Sequence, residues 1–188
     1  MEMDADRLAA QVNESRRRAD QLASGLSREL FMRRPEPDQW SIAECITHLN
    51  ITGNVVQGFM KQAVARARKN NILGKPPFKL GPRGRILIWV AEPPPKFRMS
   101  APRRVVPPVT IPDPSQVMPD FMSVQDGWER LVKDADGLDL ARISMGPLFS
   151  PFRCRLSGGL MWMMAHQQRH LLQAEKVKMQ LQGNPGAA

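Results

Sequence analysis

The sequence predicts an all-α protein, a four-helix bundle with a long proline-rich, basic crossover between the second and third helices. Three observations predict it. Four long segments carry apolar residues at helical spacing. No segment reads as a strand. Eleven of the 17 prolines fall between Pro76 and Pro114, where regular helix and central strand are both disfavoured. A chain of 188 residues is the size of one domain, 1–188, with a core over about 5–182, an irregular excursion over 75–114 and a flexible tail over 183–188.

The first helix is expected within residues 4–33. Leu8, Val12, Ala19, Leu22, Leu26 and Leu30 recur at helical spacing, and Pro35 and Pro37 end the run. The second starts at Ser41, an N-cap with Glu44 three residues on, which is the pattern of a capping box. Trp40 precedes the cap and can pack back on Cys45. Ile42, Cys45, Ile46, Leu49, Val55, Val56, Phe59 and Val64 carry this helix to about Arg68, and Asn70, Asn71 and Gly74 stop it. Arg83 to Glu92 forms a short helix inside the excursion. Asp113-Pro114-Ser115 opens the third long helix, Ser115 to Gly137, with Pro119 placed in its first turn. A loop with Gly146-Pro147 and Pro151 follows. Ser157 then caps a fourth helix, Gly158 to about Gln182, with Leu160, Met163, Met164, Leu171, Ala174, Val177 and Leu181 on its buried side.

The net charge is +9, and its excess is local. Residues 61–104 hold twelve Lys or Arg and one acid, Glu92, so this stretch is +11 and the rest of the chain −2. Such a patch attracts phosphate and polyanions without specifying one, and a solvated surface accounts for it equally. The segment has neither aromatic interleaving nor a helix-turn-helix or zinc finger, so no specific nucleic-acid partner is expected. No apolar run approaches the ~18 residues of a membrane span, and no membrane partner is expected. Met1-Glu2-Met3-Asp4 is acidic and polar, which fits neither a secretory signal nor a transit peptide. Two cysteines, Cys45 and Cys154, make neither a disulfide scaffold nor a four-cysteine zinc site, and a cytoplasmic location is expected.

The chain's three histidines, His48, His166 and His170, all fall inside expected helices. His166 and His170 stand at i and i+4, roughly 40° apart around the axis and about 6 Å along it. Imidazoles so placed can converge on one metal ion. A zincin-type protease would need Glu after the first of them as general base, and Gln167 stands there. His48 lies on the second helix, and an antiparallel bundle can bring it opposite the other two. Three imidazoles with open positions make a catalytic rather than a closed structural pattern. On spacing alone, surface or core histidines fit as well.

Trp40-Ser41-Ile42-Ala43-Glu44-Cys45-Ile46-Thr47-His48-Leu49 resembles the start of the second helix of the DinB/YfiT-like superfamily. His166-Gln167-Gln168-Arg169-His170-Leu171-Leu172-Gln173 is similar to the signature on its last helix, and Glu92-Pro93-Pro94 is similar to its crossover. The resemblance covers about residues 5–180. It implies an up-down-down-up four-helix bundle in which His48, His166 and His170 bind one divalent metal, nickel or zinc in most descriptions. Several members are thiol S-transferases using bacillithiol, mycothiol or glutathione, one branch includes a mycothiol-dependent isomerase, and some are dimers. Many members carry Glu where this chain has Gln167.

Two classes of function follow. The first is a metal-dependent enzyme in which the metal activates a thiol or water for S-transfer or hydrolysis of a small-molecule substrate, with a low-molecular-weight thiol as a second cofactor and a homodimer as a possible assembly. Arg169 and Gln173 are its candidate pocket residues, Cys45 is a candidate fourth ligand or an apolar filler, and Arg103 and Arg104 are candidates to draw in an anionic co-substrate. The second is a non-catalytic, stress-associated binding bundle that meets polyanions weakly through residues 61–104.

Overall fold

The computed structural model describes residues 2–94, 101–149 and 152–183. The chain is mostly helical, as the apolar periodicity predicts. The first helical segment is not continuous. Helix α1 (Ala5–Ala23) is capped by Asp4, whose carboxylate accepts from the Arg7 N–H at 2.8 Å. It stops at Ser24, and Gly25 adopts φ +71°, a left-handed conformation that costs a residue with a Cβ dearly. Ser27 then caps a separate helix, α2 (Arg28–Met32). The apolar spacing carries across this break, which is why the sequence reads as one helix.

Helix α3 (Ile42–Lys69) begins where the sequence places it. The Ser41 hydroxyl accepts from the Glu44 N–H at 3.1 Å, and the Glu44 carboxylate accepts from the Ser41 N–H at 2.8 Å. Arg34 also donates to Glu44, Nε to Oε2 at 2.8 Å. Burial alone would raise the Glu44 carboxyl, but the Arg34 and Ser41 hydrogen bonds outweigh it and hold the group below its usual range.

The proline-rich stretch carries short regular elements among its described residues. Strands β1 (Glu2–Met3) and β2 (Phe78–Lys79) pair antiparallel, followed by helix α4 (Pro82–Ala91), close to the expected short helix. A 3₁₀ turn spans Arg103–Val105 and another Pro114–Gln116, leading into α5 (Val117–Asp134) with Pro119 in its first turn as expected. The expectation of no strand is corrected here also by the hairpin of β3 (Ser144–Phe149) and β4 (Phe152–Arg155). Gly146 and Pro147 read as a loop, but a two-stranded ribbon leaves one edge of each strand unpaired and so tolerates a missing N–H. β4 runs directly into α6 (Leu156–Leu181) with Arg155 at the N-cap position, so Ser157 lies inside the helix instead of capping it. The expected tail, from 184 on, lies outside the described residues.

Helix α3 packs against α5 and α6, and α1 packs against the same two helices. Helix α4 lies along α6. Their crossing is close because two glycines meet: a Cβ built on Gly84 would stand 3.2 Å from the Gly158 Cα. The core falls into two apolar clusters. One gathers the C-terminal half of α3, α4, the hairpin and the first part of α6 up to Ala165. The other gathers Ile42 to Leu49 of α3, the start of α5 and α6 from Leu171 onward. Between them lies a polar layer. Gln125 on α5 donates to Gln167 on α6 at 2.7 Å, and Gln168 donates to Ser15 on α1 at 3.0 Å. All three histidines belong to this level of the fold.

Candidate metal centre

The capping box fixes the start of α3, and His48 lies two turns in, on the side facing α6. His166 and His170 occupy successive turns of α6 in the gap between Ala165 and Leu171, where the apolar stripe is interrupted. One ring nitrogen from each of the three lies within 4.8 Å of the others. Nε2 of His48 and Nε2 of His166 are 3.1 Å apart. Two nitrogens bound to one ion at ~2.0–2.1 Å with tetrahedral angles stand about 3.3 Å apart, so this pair is already at ligand spacing. His48 is 2% exposed, whereas His166 and His170 are half-buried. The trio is therefore anchored on one side and open on another.

The tautomers follow from the partners. His48 Nδ1–H donates to the Val105 carbonyl at 2.7 Å, which leaves its Nε2 with a lone pair. His170 Nδ1–H donates to Gln173 Oε1 at 2.9 Å, with the same result for its Nε2. Backbone or amide acceptors behind ligating imidazoles orient the rings and raise their basicity. Burial lowers all three rings; at His48 the Val105 hydrogen bond opposes it, and at His166 and His170 the neighbouring charges, Arg169 among them, add to it. His48 is lowered, His166 is held well below its usual value, and His170 is brought down to about 3. Neutral imidazole is the metal-binding form. Indole rings frame the cluster: Trp162 stacks on His166 at 5.1 Å between centroids, and Trp40 lies 5.0 Å from His48 and 6.0 Å from His170.

The other sequence candidates separate. Cys45 is fully buried in the second cluster, burial pushes its thiol far up, and it is outside the nitrogen group. Gln173 is the acceptor behind His170. Arg169 donates to the Val90 carbonyl at 3.1 Å and so ties α6 to α4. Gln167, 1% exposed, turns to Gln125 and the Met164 sulfur and so serves the contact between α5 and α6. Arg103 and Arg104 are exposed on the turn whose Val105 holds His48. Sequence reasoning missed Val105, because a backbone carbonyl in a proline-rich segment carries no side-chain signal. Trp162, four residues before His166, was legible as its neighbour on one helix face.

The fit to a divalent cation is good on the chemistry of the donors: three neutral imidazoles, two with fixed Nε2 lone pairs, converging with no carboxylate in the group among the described residues. No curated protein and no solved structure matches the chain. The family model of the DinB superfamily matches residues 11–174, and the chain belongs to that superfamily.

Proposed function

We propose that this chain is a metal-dependent enzyme in which His48, His166 and His170 hold one divalent ion, nickel or zinc, for S-transfer or hydrolysis of a small molecule. The observation that carries the reading is the convergence of three neutral ring nitrogens within 4.8 Å, two of them at 3.1 Å. A divalent ion there lowers the pKa of a thiol or water and so supplies a nucleophile at neutral pH. The chain's own residues do the rest. Val105 and Gln173 fix the ring orientations of His48 and His170. Trp40 and Trp162 shield the cluster from bulk water on two sides. The half-exposed flank of His166 and His170 is where a substrate would enter. The exposed Arg103 and Arg104 suit an anionic thiol as co-substrate.

In this reading α1, α3, α5 and α6 form a four-helix bundle, crossed between α3 and α5 by the proline-rich segment, and residues 1–188 make one domain. A cytoplasmic setting, where free thiols persist, fits two unpaired cysteines. The test is elemental mass spectrometry on protein purified without a polyhistidine tag, with His48→Ala beside it. About one equivalent of metal, lost in the variant, supports the reading and selects the ion for a screen of thiols and electrophiles. No metal after reloading refutes it.

A further inference from the structure

A cleft of about 330 Å³ lies between α3 and the start of α5, lined also by residues between Pro108 and Asp113. Its volume is in the range of small-molecule sites, about 300–1,000 Å³. Thr47, Asn50, Ile51 and Asn54 form its α3 wall. At about 100° per residue these four share one side of the helix, centred roughly 110° round the axis from His48, and no histidine lines the cleft. Two oxygens of this wall have no use in the fold. Asn50 is 7% exposed; its Nδ2 donates to the Val117 carbonyl at 2.9 Å, while its Oδ1 is buried without a partner among the described residues. The buried Thr47 hydroxyl has no partner either. Buried acceptors are seldom left unanswered in a native fold. The charge of the cleft is a second, independent observation. In a chain of net charge +9, none of its described lining residues is Lys or Arg, and two are Asp. Asp113 uses Oδ1 to accept from the Ser115 hydroxyl at 2.6 Å and the Ser115 N–H at 3.0 Å; these bonds, with Arg28 acting at longer range, hold its carboxyl below the ordinary value. Asp120 stands in the first turn of α5, where an acid suits the helix dipole. Neither role uses Asp113 Oδ2 or answers the two buried oxygens.

We propose that this cleft binds a small organic cation, a primary amine on an apolar body. An ammonium group is all donor, three N–H with no acceptor, and so matches a wall whose unanswered atoms are oxygens. Its charge is the one that Asp113 and Asp120 attract. Ile51, Ile111 and Val117, also in the lining, suit the hydrocarbon. An anion meets two carboxylates and no cation in the lining. A neutral amide or alcohol answers the oxygens and leaves the charge unmatched. The site goes beyond the metal-dependent reading and does not rest on it.

The experiment titrates phenethylamine and isoamylamine, each beside the alcohol of the same skeleton, into the isotope-labelled full chain at neutral pH and follows the backbone amide signals. The amines are expected to shift Thr47, Asn50, Asn54 and Asp120 saturably and to bind about tenfold more tightly than the alcohols. Asp113→Asn with Asp120→Asn lowers amine affinity about fivefold and leaves alcohol affinity unchanged; asparagine caps the turn as well as aspartate does, so the fold is kept. Thr47→Val lowers amine affinity about fivefold. An unchanged melting temperature certifies each variant. No saturable shift at these residues with either amine overturns the proposal, as does equal affinity for amine and alcohol, or amine binding that all of these substitutions leave intact. Binding that a chelator abolishes places the amine on a metal and overturns it too. A dimer formed without amine and dissociated by Asp113→Asn with Asp120→Asn overturns it in favour of a basic side chain from a second copy.

Discussion

Acid should unfold the metal-free protein through its histidines before its carboxylates matter. His170 titrates at about 3 in the folded chain against 6.5 for a free imidazole. Its folded-state value is depressed, so the unfolded chain takes up a proton that the folded chain refuses. Stability is then complete above about pH 6.5 and falls as pH drops toward 3. At pH 5 the difference is RT ln[(1 + 10^1.5)/(1 + 10^−2)], about 2 kcal/mol for His170 alone. His48 and His166 are shifted the same way and add to the loss, and even the His170 share is a sizeable part of an ordinary domain's stability. The window between pH 5 and 6.5 is diagnostic, because the chain has only these three histidines and carboxylates titrate mainly below it. Urea unfolding of chelator-treated protein at pH 7.5, 6.5, 5.8 and 5.0 measures the slope. His170→Gln should flatten it by about 2 kcal/mol across the window. A flat profile in the unaltered protein, or a slope that His170→Gln leaves unchanged, would falsify the claim that burial holds these rings neutral.

Two further predictions test the supports of the site. Gln173→Leu removes the acceptor behind His170 and should weaken metal binding 10–100-fold in a competition titration, with Gln173→Glu restoring it; equal affinity in all three proteins would show that Gln173 does not orient the ring. Glu44→Ala removes half of the α3 capping box together with the partner of Arg34, and should cost about 1–2 kcal/mol in urea unfolding at neutral pH, a difference that shrinks as pH falls below the ordinary carboxylate range and through the depressed folded-state value.

Much of the helical fold was legible because its signals are local. The Ser41–Glu44 box, the proline in the first turn of α5 and the His166–His170 spacing each need only neighbouring residues. The break at Gly25 was missed because the apolar stripe runs on through Leu26, and one glycine at φ +71° outweighs it. The hairpin was missed because its prolines argue against strands, and a two-stranded ribbon relaxes that rule. The polar layer left a trace that went unread. On α6 the buried stripe pauses between Ala165 and Leu171, and the residues in the gap are His166, Gln167, Gln168, Arg169 and His170. An interruption of that length in a core-facing helix marks a site as clearly as the histidine spacing does.

The same layer makes a last prediction that separates a built metal centre from histidines that meet by chance. With Nδ1–H of His48 given to Val105 and Nδ1–H of His170 given to Gln173, both Nε2 atoms are acceptors, and His166 can offer its Nε2–H to only one of them. Lone pairs exceed protons at the centre of the cluster, an imbalance that a cation relieves. Protons do not compete well for the same place, since burial lowers all three rings and the neighbouring charges lower His166 and His170 further. Three imidazoles titrating at 6.5 would lose about 70-fold in metal affinity between high pH and pH 6, the product of three factors of about 4. Here the affinity measured by competition at pH 8 and at pH 6 should differ by no more than a few-fold, because His166 binds by shifting its proton from Nε2 to Nδ1, a change of tautomer that releases no proton. A 70-fold fall would mean that the rings are as accessible to protons as free imidazole, and the convergence seen in the fold would then not be a preorganised site.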